Sequence, residues 1–267
     1  MAHPPRRTAF ILASTNHGTM IVNRFDYREV RPGEAYGVGL MLLHNSCYEP
    51  EEAAFVTTLL DTRRTHFGDG VHVLDIGANI GVFTVEWAKH MTGWGTVLAF
   101  EAQERIYHAL AGNIAINNCF NARAFWAAVA AEPGVIGMPV PDYLSAGSFG
   151  SLELRPSVHA KGMGQAIDYS EDALVDVTAV TIDSLDLDRV DLIKVDVEGM
   201  EMEVLEGARR TLARHRPILV IEELKTDSEA LKAYLDSFGY TGFGAGMNVV
   251  AIHAGDPSIR LLVKEPG

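Results

Sequence analysis

From Val71 onward the chain alternates between nearly continuous apolar runs and stretches with apolar residues every three or four positions. The runs VHVLDI (71–76), TVLAFE (96–101), Ala122–Ala130, DLIKVDV (191–197) and PILVIEE (217–223) predict strands. Between them, Ile80–Met91 carries Ile80, Phe83, Trp87 and Met91 at helical spacing, and Glu104–Asn117 carries Ile106, Leu110 and Ile114. Met200–Leu212 and Ser228–Phe238 predict two more helices, and two short runs, Tyr240–Phe243 and Asn248–His253, a terminal hairpin. Strands without polar alternation are buried on both faces. The pattern therefore predicts a doubly wound α/β domain with a mostly parallel sheet.

The first third reads differently. AFILAS (Ala9–Ser14) and TMIVNRF (Thr19–Phe25) flank the turn residues Thr15–Gly18 and predict a β-hairpin. Arg31–Gly39 reads as a glycine-rich loop, and Pro50 opens a helix with acids in its first turn and arginines in its last. We expect residues 1–67 to form an N-terminal extension packed on a main domain, 68–267. That domain contains an insertion at 132–176 which breaks the alternation. Insertions of this length serve as lids as readily as surface hairpins. Residues 142–170, with the glycines of SAGSFGSLEL, are expected to order over a ligand.

Charge narrows the partners. Among 267 residues, 35 acids outweigh 22 bases, for a net charge of −13. This opposes a nucleic-acid backbone and an anionic membrane surface. A small molecule is the expected partner, with no nucleic acid and no membrane, and a homodimer is compatible. Cys47 and Cys119 fit no zinc or redox spacing and read as reduced thiols. MAHPPRR lacks the apolar segment of a secretory signal, and no apolar run reaches the length of a membrane span, so a cytoplasmic location is expected.

The densest chemistry lies in VLDIGANIG, Val73–Gly81. An apolar strand ends in an acid, small residues turn the chain, and a helix begins. Small residues let backbone N–H groups approach a ligand, and an acid at the tip of the next strand, Glu101, is placed for ribose hydroxyls. The turn lacks the G-x-G-x-x-G of dinucleotide sites. Its Asp75 would repel a pyrophosphate and attract an ammonium. This favours S-adenosylmethionine over a nicotinamide cofactor. A nicotinamide-dependent oxidoreductase and a noncatalytic cofactor-binding protein on the same fold are the alternatives. A third element, DLIKVDVEGMEMEVLEGA (Asp191–Ala208), delivers Lys194, Asp196 and Glu198 to the same sheet edge. Glu222 and Glu223 end the following strand there. The competing reading of Asp196 and Glu198 is that they cap the next helix.

VLDIGANIG, AFEAQ, the long Asp191–Ala208 stretch and ILVIEE together resemble the FkbM family of S-adenosylmethionine-dependent methyltransferases, over roughly Tyr48 to Glu223. The resemblance implies a seven-stranded methyltransferase sheet with its last strand antiparallel, and O-methylation of a hydroxyl, often on a sugar or polyketide. It places Asp75, Gly77, Ala78, Asn79 and Gly81 on the methionine side of the cofactor, and Glu101 and Ala102 on the ribose and adenine side. Asp196 and Glu198 approach the transfer site, Asp196 also ordering the sulfonium end. The family's usual proline after the ribose acid is replaced here by Ala102-Gln103. Candidate catalytic residues are Glu198, Asp196 and Glu222. Four acids at one edge could hold a divalent cation, but no spacing demands one, and none is assigned. His17, His44 and His159 lie in predicted loops, and Tyr48, Trp126, Tyr143 and Phe149 are candidate wall residues.

Overall fold

The computed structural model describes residues 6–155 and 162–262, so His159 lies outside the described residues. The chain opens with an antiparallel hairpin of β1 (Phe10–Thr15) and β2 (Gly18–Asn23). A second small hairpin, β3 (Arg28–Arg31) and β4 (Glu34–Tyr36), leads into α1 (Val38–Asn45) and α2 (Pro50–Phe67). The alternating part follows: β5 (Val71–Ile76), α3 (Val82–His90), β6 (Gly95–Glu101), α4 (Glu104–Ile116) and β7 (Ala122–Trp126). After β8 (Ala128–Val129), β9 (Gly134–Pro139) and β10 (Leu174–Val180), it resumes with β11 (Leu192–Val195), α5 (Glu201–Glu206), α6 (Arg209–His215), β12 (Ile218–Glu222), α7 (Ser228–Ser237), β13 (Tyr240–Ala245) and β14 (Asn248–His253).

Seven strands form the main sheet in the order β13-β14-β12-β11-β5-β6-β7. β12, β11, β5, β6 and β7 are parallel, and β14, the last in the chain, runs antiparallel to both neighbours. Side chains on β5 divide between two cores as a pleated strand requires. Val71 and Val73 join Val56, Leu60 and Trp87 on one face; Leu74 and Ile76 join Val204, Leu205 and Leu231 on the other. The expected doubly wound, mostly parallel sheet is what the chain forms. The first hairpin shares the first core, through Met20 and Val22. No helix among the described residues is long and apolar enough to cross a membrane.

Three expectations are corrected. The strand expected over Ala122–Ala130 leaves the main sheet at Trp126, and β8 pairs instead with β10 in a three-stranded sheet, β8-β10-β9. The helix expected over Met200–Leu212 is broken into α5 and α6. Gly207 lies where a Cβ would come within 2.1 Å of the Ala130 carbonyl oxygen, and its own carbonyl accepts the Asp183 N–H, so the ladder yields to a tertiary contact. The glycine-rich stretch after Arg31 is not a bare loop but contains β4 and the start of α1, elements too short to leave a period.

Among its described residues, the insertion is tied to the body of the fold at Phe149; 156–161 of the segment expected to order over a ligand lie outside the described residues. Phe149 is fully buried and packs in a tilted arrangement on Tyr143, ring centroids 4.9 Å apart. Its N–H donates to Asp26 Oδ1, and its carbonyl accepts from Gln103 Nε2. Asp26 Oδ2 also accepts the Gly39 N–H, so one buried carboxylate joins the segment after β2, the start of α1 and the insertion. Burial pushes its pKa up to about 6, against the pull of those two N–H donors. Asp26→Ala orphans two buried donors at roughly 1–3 kcal/mol each. It should cost about 2–4 kcal/mol in chemical denaturation and speed hydrogen exchange at Phe149; unchanged exchange there would show that Asp26 does not tether the insertion.

Candidate active site

In open α/β sheets, ligands bind beyond the carboxyl ends of the strands. Here those ends frame a cavity of about 520 Å³, within the range of small-molecule sites. Asp75, Gly77, Ala78 and Asn79 line it from β5 and the turn after it; Glu101 and Ala102 from the end of β6; Asp196, Glu198 and Glu222 from β11 and β12. All nine of these were candidates from the sequence. Gly81 is off the wall, against Leu110 at the start of α3, and Glu223 is off it too. His17 is buried elsewhere, between Glu86 and the Tyr48 N–H, and His44 is exposed on α1. Of the aromatic candidates only Tyr48 reaches the cavity; Trp126 instead holds the Ala102 carbonyl from outside, at 3.0 Å.

The turn after β5 is built for close approach. At Gly77, φ is +79°, and a Cβ would lie 1.8 Å from the Asp196 carbonyl oxygen, so no side chain fits. Asn79 is also left-handed, at φ 51°, which directs its N–H to Glu101 Oε2 at 3.0 Å. Glu101 Oε1 accepts the Gln103 N–H at 2.8 Å. Burial raises the Glu101 pKa to about 7, although both backbone donors pull it down. Each of its oxygens keeps a lone pair for a hydroxyl donor. Asp75 is fully buried, and burial raises its pKa. Thr84 donates to its Oδ2, while Oδ1 has no partner among the described residues. A buried carboxylate oxygen left open on a cavity wall suits an ammonium. These residues fit the cofactor expected from the sequence: Asp75 for an amino group, Gly77–Asn79 for close packing and Glu101 for ribose hydroxyls.

Opposite this turn lie the acids of β11 and β12. One carboxylate oxygen from each of Asp196, Glu198 and Glu222 falls within 4.8 Å of the others. The set could bind a cation, but lysines already hold two of the three. Lys194 Nζ sits 2.7 Å from Asp196 Oδ2, and Lys225 pairs with Glu198 and, at 2.9 Å, with Glu153. Burial, then the nearby Asp196, push the Glu198 pKa to about 7 against the pull of Lys225. Burial, then Asp196 and Glu198, push Glu222 to about 8. Glu198 is itself left-handed, at φ 56°. The loop that carries it is fixed by a residue the sequence reading passed over. Glu201, buried in the first turn of α5, accepts the Val197 and Gly199 N–H groups through Oε1 and the Thr226 hydroxyl through Oε2. An acid does serve the loop before α5, as the competing reading held, but it is Glu201, which frees Asp196 and Glu198 to face the cavity. Its only signal was an acid two residues after Gly199.

The remaining wall comes from the segments least legible in the sequence. β3 and β4 supply Arg28, Val30 and Tyr36, α2 supplies Glu52, and the insertion supplies Ser148, Gly150–Leu152 and Leu154. Tyr36 donates to Glu49 and meets the Tyr48 hydroxyl at 3.0 Å. Burial pushes Glu52 to about 7, against the nearby Lys194.

A turn that offers a carboxylate to a cation, on a strand whose neighbour offers another to two hydroxyls, defines a nucleoside-cofactor site of the methyltransferase class. The methyltransferase FkbM domain matches residues 75–241, more than half of the chain, and the chain belongs to that family of S-adenosylmethionine-dependent methyltransferases. Among solved structures, a methyltransferase FkbM from Methylobacillus flagellatus KT is 18% identical with a TM-score of 0.48. It covers 72% of this chain and 48% of its own, so this chain spans about half its length. A precorrin-6y C5,15-methyltransferase from Geobacter metallireducens GS-15 is 15% identical, covers 77% and 88%, and scores 0.44. A methyltransferase from Geobacter sulfurreducens is 10% identical, covers 79% and 84%, and scores 0.47. No curated protein matches the chain in sequence.

Two outcomes follow from this geometry. Glu101→Ala should leave the protein folded and weaken S-adenosylhomocysteine binding by about 10- to 100-fold, the loss of one or two charge-assisted hydrogen bonds. Unchanged affinity in calorimetry would remove Glu101 from the ribose contact. Stability should also fall with rising pH. Glu52, Glu101 and Glu198, near 7, and Glu222, near 8, hold protons in the fold that the unfolded chain, with ordinary carboxylates, has already lost. Between the unfolded and folded values the native state binds more protons, so each rise in pH favours unfolding, until the effect is complete above the folded values. The ligand-free protein should therefore melt several degrees lower at pH 8.5 than at pH 6.5. An unchanged or higher melting temperature at pH 8.5 would contradict the proton-holding cluster.

Proposed function

We propose that this chain methylates a hydroxyl group of a small molecule, such as a sugar, a polyketide or another secondary metabolite. The observation that carries the reading is the carboxylate pair Glu198 and Glu222, both titrating near neutrality on the wall facing the cofactor turn. Bound S-adenosylmethionine supplies an electrophilic methyl group on a sulfonium. The protein's part is to position a nucleophile, exclude water and take its proton. A carboxylate is a poor base at its ordinary pKa and a useful one near 7. Glu198 fits the base. Glu222, raised further, holds its proton at neutral pH and can donate a hydrogen bond to the acceptor; such divided pKa values mark acid and base roles. Asp196, paired to Lys194, orders the sulfonium end. An amine acceptor is disfavoured by the same acids, because they would keep it as an ammonium with no free lone pair.

The test is to incubate the protein with methyl-labelled S-adenosylmethionine and a fractionated metabolite extract, then determine the linkage of the labelled product by NMR. An O-methyl product is expected, and an N- or C-methyl product would overturn the reading. With that product's acceptor, Glu198→Gln should lower turnover by about 10²- to 10⁴-fold, the usual size of general-base assistance, and leave S-adenosylhomocysteine affinity unchanged. Near-normal turnover would remove Glu198 from the chemistry.

A further inference from the structure

Three basic residues line the cavity: Arg28, Lys194 and Lys225. Both lysines are committed to acids, Lys194 to Asp196 and Lys225 to Glu198 and Glu153. The guanidinium of Arg28 has no ion pair and no hydrogen bond among the described residues, and its Nε is buried without a partner. This is unusual chemistry beside seven wall acids: Glu49, Glu52, Asp75, Glu101, Asp196, Glu198 and Glu222. A buried donor left open is costly, so it is retained where something else fills it.

Its placement is built. Arg28 and Val30 fall on one side of β3, and Arg28 stands directly opposite Tyr36 of β4, so the three present one face of the hairpin to the cavity. Tyr36 is anchored on Glu49 and Tyr48. The backbone at Gly164 closes against Arg28 Cβ, leaving about 3.0 Å for any side chain there. The stem is thus held between the hairpin and the insertion, with the guanidinium at the cavity wall.

We propose that Arg28 is an oxyanion-binding residue of this site, receiving a carboxylate or phosphate group through its planar donor fork. The group has two available sources. One is the α-carboxylate of the cofactor's amino-acid end, which must enter a cavity where every other cation is taken. The other is an anionic group on the acceptor, an arm that rests on the small-molecule reading above. Both are read by binding rather than turnover, so failure of the hydroxyl assignment leaves the test intact.

The experiment compares wild type with Arg28→Gln and Arg28→Lys, each first shown to melt like wild type. Calorimetry uses S-adenosylhomocysteine, which carries the α-carboxylate, and 5′-methylthioadenosine, which lacks the amino-acid group. If the cofactor supplies the oxyanion, Arg28→Gln weakens S-adenosylhomocysteine by about 10- to 100-fold and leaves 5′-methylthioadenosine unchanged, with Arg28→Lys between. If the acceptor supplies it, both nucleosides bind as before. Inorganic phosphate at millimolar concentration then binds S-adenosylhomocysteine-loaded wild type, but not loaded Arg28→Gln. The proposal is overturned if all three probes bind wild type and Arg28→Gln alike, or if both nucleosides weaken equally. Should Arg28→Gln fail to fold, Arg28→Lys carries the comparison, and wild-type affinity for every probe in that variant overturns the bidentate role.

Discussion

One buried ammonium organises the carboxyl edge of the sheet. Lys194 lies on β11 directly beside Asp75 of β5, and its Nζ meets Asp196 while facing Glu52 and the ring of Phe83. Burial works against its charge, yet Asp196, Asp75 and Glu52 together hold it protonated well above the ordinary range. A buried ion pair adds little net stability, but losing one partner leaves an uncompensated charge worth about 3–5 kcal/mol. The end of β5, the loop after β11 and α2 each bring an acid to this one cation. Their relative placement is therefore a condition of keeping Lys194 buried, and the site cannot be loosened at one element without exposing the charges of the others.

What the sequence revealed follows from which interactions are local. The strand–turn–helix around Asp75 and the acid at the end of β6 are written in consecutive residues, so both the sheet and most of the cofactor side could be read. Asp196, Glu198 and Glu222 were legible because each lies at or just past the end of a strand, and strand ends of a parallel sheet share an edge. The opposite wall was not. Arg28 and Tyr36 sit on strands of four and three residues, too short to show alternation. Asp26 and Gln103 act across 123 and 46 positions on the same residue, Phe149, and nothing local marks either. The departure that did stand out, Ala102 after Glu101, lies one residue before Gln103 and says nothing of the tether that Gln103 supplies to the insertion. The break between α5 and α6 shows the same limit from the other side: helical periodicity continued through Gly207, and a contact with Ala130 overrode it.

Backbone strain falls where the chemistry is. Seven non-glycine residues adopt left-handed conformations among the described residues. Ser46, Asp186 and Arg216 cap the ends of helical segments, and Asn118 lies just past one, where such geometry is ordinary. The other three, Glu49, Asn79 and Glu198, all line the cavity. Each such residue costs on the order of 1–3 kcal/mol, which surrounding structure must hold in place. For Glu198 the restraint is visible in Glu201, which grips the N–H groups on both sides of it. For Asn79 it is the Glu101 carboxylate, which accepts its N–H. If Glu101 also receives ribose hydroxyls, as proposed, turn geometry and ligand recognition there are one interaction.

The two ends of the sheet show how charge divides between structure and function. At the amino edge Asp191 and Asp256 meet Arg63 and Arg189, two acids for two bases, and Asp191 also takes the His72 N–H. The charges of that network are matched within the protein. At the carboxyl edge seven acids face three bases, and among the described residues one of those bases has no ion pair and Asp75 keeps an open oxygen. Burial first, and for Glu198 and Glu222 the neighbouring acids second, raises Glu52, Glu101 and Glu198 to about 7 and Glu222 to about 8, so protons held by these four offset part of the excess. A ligand bearing both an ammonium and a carboxylate answers both defects at once. Asp75 gains its cation and Arg28 its anion, while the acids left over remain free to accept a proton. The unmatched charges of one sheet edge are thus the physical form of the proposed specificity, while the charges of the other are matched within the protein.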